Sequence, residues 1–238
     1  MKDAYIKKFD SVYGSNNSYY GFELRKEFTD FLKEKNISVQ AALDLGCGEG
    51  RYSLFMAKKG CDVIAIDRSS AGVEKLRKMA ASHHLPISAS VVDIDNFVFK
   101  KNKFDIIIAA TVLDHLPDEL RHRTIKDIKK ALKPEGTLYV NVFTVSDPGY
   151  RIKMDNRIKM DNRVKMDNRV ETDTAPGINP TDISDTAECM EYYFKQNELK
   201  TVFNDFNILY YYEGIEPDLS HGRPHYHGWA CLLAQKPA

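Results

Sequence analysis

The sequence contains no apolar run long enough to cross a bilayer. With a mean hydropathy of -0.44 and 29% charged residues, it reads as a chain that folds in water. The opening stretch, MKDAYIKKFDSVYG, places no apolar segment behind its lysines; this does not fit a secretory leader, and a cytoplasmic protein is expected. Cysteine is scarce. Cys47, Cys61, Cys189 and Cys231 include no CxxC pair, so they suit free thiols in a reducing compartment better than a disulfide frame or a zinc knuckle. Net charge is lacking as well: 34 Lys and Arg balance 34 Asp and Glu. A neutral chain has no general attraction to nucleic acid or to anionic membrane, and neither partner is expected. What is present is 43% hydrophobic residues in 238, enough for one sizeable α/β domain, with or without a lid, rather than two independent ones.

From about residue 41 to 143, short apolar runs alternate with longer amphipathic ones, the pattern of βαβ units that build a parallel sheet. AALDLG, DVIAID, ISASVVDI, FDIIIAA and TLYVNVF are predicted strands, the fourth a continuous apolar run expected where both faces are covered. RYSLFMAKKG is a predicted helix ended by Gly60, and AGVEKLRKMAASHH another, capped by Ser69 or Ser70. DELRHRTIKDIKKALK carries Leu120, Ile125, Ile128 and Leu132 at helical spacing, before Pro134 and Gly136 break it. Further on, ECMEYYFKQNELKTVFN is expected to be helical, with NILYYYEG and WACLLAQK as a closing pair of strands. A Tyr-rich segment and an amphipathic helix precede the sheet.

The chemistry concentrates at Leu43-Asp44-Leu45-Gly46-Cys47-Gly48-Glu49-Gly50. A glycine-rich turn between strand and helix lets a ligand approach the backbone closely, and the helix that follows offers unpaired N–H groups and a positive dipole end. Asp67 ends the next strand, where a carboxylate can accept both hydroxyls of a ribose. Asp93 ends the one after, placed to receive an adenine amino group. In order and spacing, LDLGCGEG, Asp67, Asp93, FDIIIAATVLDHL and LKPEGTLYV resemble the Rossmann-like, class I S-adenosylmethionine-dependent methyltransferases over about residues 40 to 143. The form DLGCGxG differs from the GxGxxG of dinucleotide-binding proteins. More loosely, GCGEGRYSLFMAKKGCDVIAID and HGRPHYHGWACLLAQK look like small-molecule methyltransferases of the tellurite-resistance type.

The resemblance implies an α/β, doubly wound, seven-stranded and mostly parallel sheet with its last strand antiparallel, an N-terminal helix and an inserted lid. It implies S-adenosylmethionine as cofactor, with Asp44 and the backbone of Gly46, Cys47 and Gly48 at its methionine part. Asp67 would meet the ribose, Arg68 flank the adenine, Asp93 with Ile94 hold the adenine edge, and Thr111 to Leu113 lie under the methionine portion. The layout expected is a helical cap (1–40), the cofactor-binding core (41–145), an insertion (146–185), and a C-terminal helix with closing strands (186–238). The expected activity is methyl transfer to a small-molecule acceptor. The alternatives are a cofactor-binding module with a docking arm, or a protein side-chain methyltransferase. Methylation of nucleic-acid amino groups is disfavoured, because TVLDHLP stands where such enzymes carry an Asn/Asp-Pro-Pro-aromatic motif.

Four segments are candidates for the acceptor side. Tyr13, Tyr19 and Tyr20 either cover a cationic methyl donor with electron-rich rings or staple the first helix to the sheet. His115 resembles a residue that family members place beside the transferring methyl, and an imidazole is a base suited to neutral pH; a satisfied loop histidine is the other reading. His221, His225, His227, Trp229 and Cys231 form a cluster, in which His225 and His227 are the candidate catalytic groups. If extended, residues 225 to 231 put the two imidazoles, the indole and the thiol on one face. No metal is expected there, because Gly222, Pro224 and Gly228 make the backbone turn-prone. The fourth segment is RIKMDNRIKMDNRVKMDNR at 151–169, with a net charge of +4. Its period of six smears any residue around a helix but keeps one face of a strand. A basic lid, a partner-docking arm and a tolerated tandem expansion are its three readings.

Overall fold

The alternating pattern folds as βαβ units on both sides of one sheet. The computed structural model describes residues 2–15, 18–34, 39–150, 153–154, 191–218 and 225–238. Among these, β1 (Ala41–Leu45), β2 (Asp62–Asp67), β3 (Ile87–Val91), β4 (Phe104–Ala110), β5 (Leu132–Phe143), β6 (Asn207–Asp218) and β7 (His225–Gln235) lie in the order β3-β2-β1-β4-β5-β7-β6. The pairs from β3 through to β5 are parallel, and β7 runs antiparallel to both β5 and β6. The strand order reverses between β1 and β4, so the carboxyl ends of these two strands frame the crevice in which doubly wound sheets bind ligands.

Each face of the sheet has its own core. One packs Leu43, Leu45, Ile107, Ala109 and Val140 with Ile125 and Ile128 of α5 (Asp118–Ala131) and Leu199 of α6 (Glu198–Val202). The other packs Ala42, Ile106, Ile108 and Tyr139 with α2 (Lys26–Glu34), α3 (Arg51–Lys58) and α4 (Ser70–Ser82). On that side Phe28 of α2 is fully buried, its ring centroid 5.1 Å from Tyr52 and 4.8 Å from Tyr139. α1 (Lys2–Ser15) packs on α4, where Asp10 Oδ1 accepts from Ser69 Oγ at 2.6 Å and from the Ala71 amide at 3.0 Å. Ser69 caps α4, its hydroxyl accepting from Gly72 N at 3.1 Å. No helix among the described residues is long and apolar enough to cross a membrane.

Three expectations are corrected. Within the expected helix ECMEYYFKQNELKTVFN, only Glu198–Val202 is helical among the described residues. Before it, Phe194 forms a parallel bridge to Thr144, and the Glu191 and Tyr192 amides donate to the Asp114 carbonyl. Those tertiary bonds, with Tyr193 and Phe194 buried, override a helical propensity. β5 begins at Leu132 rather than Thr137, because Leu132 pairs with Phe104 and Thr137 with Ile106, leaving Lys133, Pro134, Glu135 and Gly136 to bulge between. β7 begins at His225 rather than Trp229. The repeat, apart from Lys153 and Met154, lies outside the described residues, as do His221 and Cys189. Phe28→Ala is expected to destabilise the chain by about 3–5 kcal/mol in urea unfolding, since the surrounding rings are held by the sheet and cannot collapse into the space.

Candidate active site

The glycine turn sits at the carboxyl end of β1. Gly46 and Gly48 have φ of +64° and +51°, a region where a side chain is strained. A Cβ on Gly46 would come within 2.5 Å of Val112 Cγ2, and one on Gly48 within 2.8 Å of Tyr13 Oη. The turn is held from β2: Cys47 N donates to Ile66 O at 3.0 Å, and Gly48 N to Asp67 Oδ2 at 2.8 Å. The other oxygen of Asp67 accepts from Ser69 N at 2.7 Å. Burial raises the Asp67 carboxyl above its ordinary value against the pull of these two amides. Asp44, on β1, is 2% exposed. It accepts from Ser53 N at 3.1 Å and Ser53 Oγ at 2.6 Å, and burial pushes it up to about 7.

Two chambers open above the strand ends. The first is lined by Asp67, Arg68, Asp93, Ile94, Val92 and Leu116. Arg68 Nη2 is 2.7 Å from Asp93 Oδ2, so the guanidinium expected beside the adenine and the carboxylate expected at its edge are tied to each other. The second is lined by Asp44, Arg25, Asn141, Asp218, His227 and Trp229, among others. Both include Tyr13, Tyr20, Gly46, Thr111 and His115, which form the junction. Thr111 there has φ +53°. For a β-branched residue this costs on the order of 1–3 kcal/mol, of a kind that clusters at functional sites; its amide donates to Asn141 O at 2.7 Å.

Aromatic rings close the junction. Phe9 meets Tyr13 at 5.9 Å and His115 edge-on at 5.5 Å, while Tyr20 lies 6.2 Å from Tyr13 and 4.8 Å from Tyr19. Tyr13 therefore both covers the glycine turn and anchors α1. Leu113, expected under the methionine portion, is instead fully buried in the core. The neighbouring Asp114 is also fully buried. Its Oδ2 accepts from Phe143 N at 3.0 Å, its Oδ1 has no hydrogen-bond partner, and burial raises its carboxyl.

The turn expected around Gly228 is absent, and β7 runs extended through it. His227 and Trp229 line the second chamber. His225 meets His227 Nε2 to Nε2 at 2.9 Å. Cys231, on the same face, is fully buried, accepts from Asn141 Nδ2 at 2.9 Å, and is pushed up to about 12 by burial. Sequence reasoning overlooked Arg25, Asn141, Asp147 and Asp218. Only Asn141 left a signal, as a polar residue inside an apolar strand, whereas the others reach the site through loops and strand ends. The residues present suit a long cofactor with a ribose. The glycine turn lets Val112 and Tyr13 pack directly on the backbone while Gly46 lines both chambers, and the acidic side chains Asp67 and Asp93 stand at the ends of β2 and β3.

An acid that binds its proton more tightly when folded favours folding at low pH and loses that advantage as pH rises through its folded value. For Asp44 the window runs from the ordinary 3.8 to about 7. Asp44→Asn, which keeps the acceptor for Ser53, is therefore expected to gain stability relative to the parent by a few kcal/mol as urea unfolding is repeated from about pH 4 to about pH 7. A pH-independent difference would mean that Asp44 is ionised throughout.

Known proteins resemble the chain in sequence and in shape. A family model described as "Methyltransferase domain" matches residues 42–136. A ubiquinone biosynthesis O-methyltransferase of Actinobacillus pleuropneumoniae is 32% identical over 158 residues, covering 63% of this chain and 67% of that one. Among solved structures, TehB from Haemophilus influenzae superposes with a TM-score of 0.66 at 22% identity, over 96% of this chain and 67% of that one. The N-methyltransferase NodS from Bradyrhizobium japonicum, in complex with S-adenosyl-L-homocysteine, superposes with 0.64 at 15% identity over 98% and 99%. These two show the shared fold. An identity of 32% over two thirds of the Actinobacillus protein, carried on this sheet order and this glycine turn, makes the chain a member of the class I S-adenosylmethionine-dependent methyltransferases.

Proposed function

We propose that the chain transfers a methyl group from S-adenosylmethionine to a flat, hydroxyl-bearing small molecule held in the second chamber. The observation that carries this reading is the junction: two chambers of different character meet at Gly46, Thr111 and His115. The name of the Actinobacillus relative supports oxygen as the acceptor atom. The stacked pair Phe143 and Trp229, with centroids 4.2 Å apart and Arg25 5.5 Å from the indole, supports a flat partner.

In this reading Asp67 holds the ribose. Asp93, steadied by Arg68, bounds the adenine end with Ile94, and Asp44, the turn from Gly46 through Cys47 to Gly48, and Thr111 hold the methionine portion. When bound, the cofactor supplies a methyl group on a sulfonium sulfur that departs as a neutral thioether. The rings of Tyr13 and Tyr20 favour a cation beside them and keep water from the junction. His115 takes the proton of the acceptor hydroxyl, and the chamber walls hold the oxygen in line. His227 and His225 contact the acceptor side.

Isothermal titration with S-adenosylmethionine and then S-adenosylhomocysteine tests the cofactor half. Micromolar binding, weakened at least about tenfold in Asp67→Ala, is the expected result, and absence of binding overturns the reading. Across a set of phenols and other hydroxyl compounds, His115→Gln is expected to lower kcat by about 100-fold or more with cofactor affinity retained. Cofactor binding without turnover on any acceptor would favour the docking-module alternative.

A further inference from the structure

The second chamber ends at a group of side chains whose geometry exceeds what contact with an acceptor requires. His225 and His227 are two residues apart on β7 and share a face; Asp218, the last residue of β6, is the register partner of His225. The two imidazoles are 6% and 4% exposed, and their Nε2 atoms are 2.9 Å apart. Asp218 Oδ2 is 3.9 Å from His227 Nε2, and one donor atom from each of the three residues lies within 4.8 Å of the other two.

Asp147 sets the orientation. Its Oδ2 accepts from Gly228 N at 3.0 Å and lies 2.8 Å from His227 Nδ1, while its Oδ1 accepts from Gly149 N at 2.7 Å. A carboxylate only accepts, so His227 Nδ1 carries the proton, and it is Nε2 that faces His225 and Asp218 as the atom open to a metal. A carboxylate behind an imidazole, fixing its tautomer, is the arrangement that supports metal-ligating histidines. Gly228 is part of it, since a Cβ there would lie 2.3 Å from Asp147 N. In a tetrahedral site nitrogens about 2.1 Å from the metal lie about 3.4 Å apart, so the two rings, now a hydrogen-bonded pair at 2.9 Å, need open by only about half an ångström to admit an ion.

We propose that Asp218, His225 and His227 bind a divalent first-row transition-metal ion, with Asp147 as the positioning residue behind His227. Two imidazoles and one carboxylate favour zinc, iron(II), cobalt or manganese over magnesium or calcium, which take oxygen ligands. Three protein ligands leave coordination positions open. Because Asp218 and His227 line the same cleft as His115, those positions suit an oxygen of the acceptor, a role that rests on the function proposed above.

The test uses the full chain without a polyhistidine tag, stripped with EDTA and dialysed against Zn²⁺, or against Co²⁺ as a spectroscopic probe. About one equivalent of zinc is expected to survive gel filtration, read by elemental mass spectrometry. Cobalt is expected to give d–d bands without a thiolate charge-transfer band, since Cys231 stands outside the set. His225→Gln and Asp218→Asn are each expected to weaken zinc affinity at least about tenfold, and Asp147→Asn by about 10- to 100-fold. Circular dichroism shows that each variant is folded, and Asp218→Asn, at a strand end, decides the matter if His225→Gln is not. No metal retained by the parent chain, or metal retained undiminished in the folded variants, overturns the proposal. Titration with S-adenosylmethionine, run on the same stripped protein, keeps the two readings apart. Zinc without cofactor binding sinks the methyl-transfer reading, and cofactor binding without zinc sinks this one.

Discussion

The carboxylate of Asp67 bridges two loops, one oxygen taking the Gly48 amide and the other the Ser69 amide. The rest of the site depends on that bridge. It holds the glycine turn against β2 while Ser69, whose hydroxyl also meets Asp10, ties in α1. α1 in turn carries Tyr13 over the turn and Phe9 against His115. A single half-buried side chain thus couples the strand that ends in the turn, the helix cap behind it and the aromatic cover in front. Two backbone amides donating to one carboxyl group fix both loops at once, which is why so short a connection suffices.

Unfavourable local energies gather at the same end of the sheet. Asp44, Asp67 and Asp114 are carboxyls raised by burial, and Thr111 is held in a left-handed conformation. Each costs stability on its own. They are tolerated because the two cores, with β1 and β4 buried almost throughout, leave the strand ends little freedom to relax. Strain and buried charge at the mouth of a rigid sheet are the expected condition of a site built for a ligand.

Much of this was legible in the chain. The alternation of apolar runs marked β1 to β5, and the glycine turn with Asp67 and Asp93 marked the cleft. These features are local, since strand period, turn chemistry and chain spacing all act over a few residues. What misled was equally physical. Residues 191–195 carry a helical pattern, yet the backbone bonds of Phe194 to Phe143 and Val145 hold them out of a helix. Leu113 follows the strand that reaches the cleft, but its side chain turns into the core. Gly228 looked like a turn, and is glycine because Asp147 crowds it within a strand.

The sequence by itself determined the class of fold, the methyltransferase family and the strand ends that frame the cleft, because these follow from patterns repeated along a short stretch of chain. Only the tertiary structure decided that Arg68 pairs with Asp93, that Arg25 and Asn141 wall the second chamber, and that Asp147 reaches across 80 positions to His227. Those contacts join residues far apart in the chain, and their geometry depends on register and packing, which no local pattern encodes.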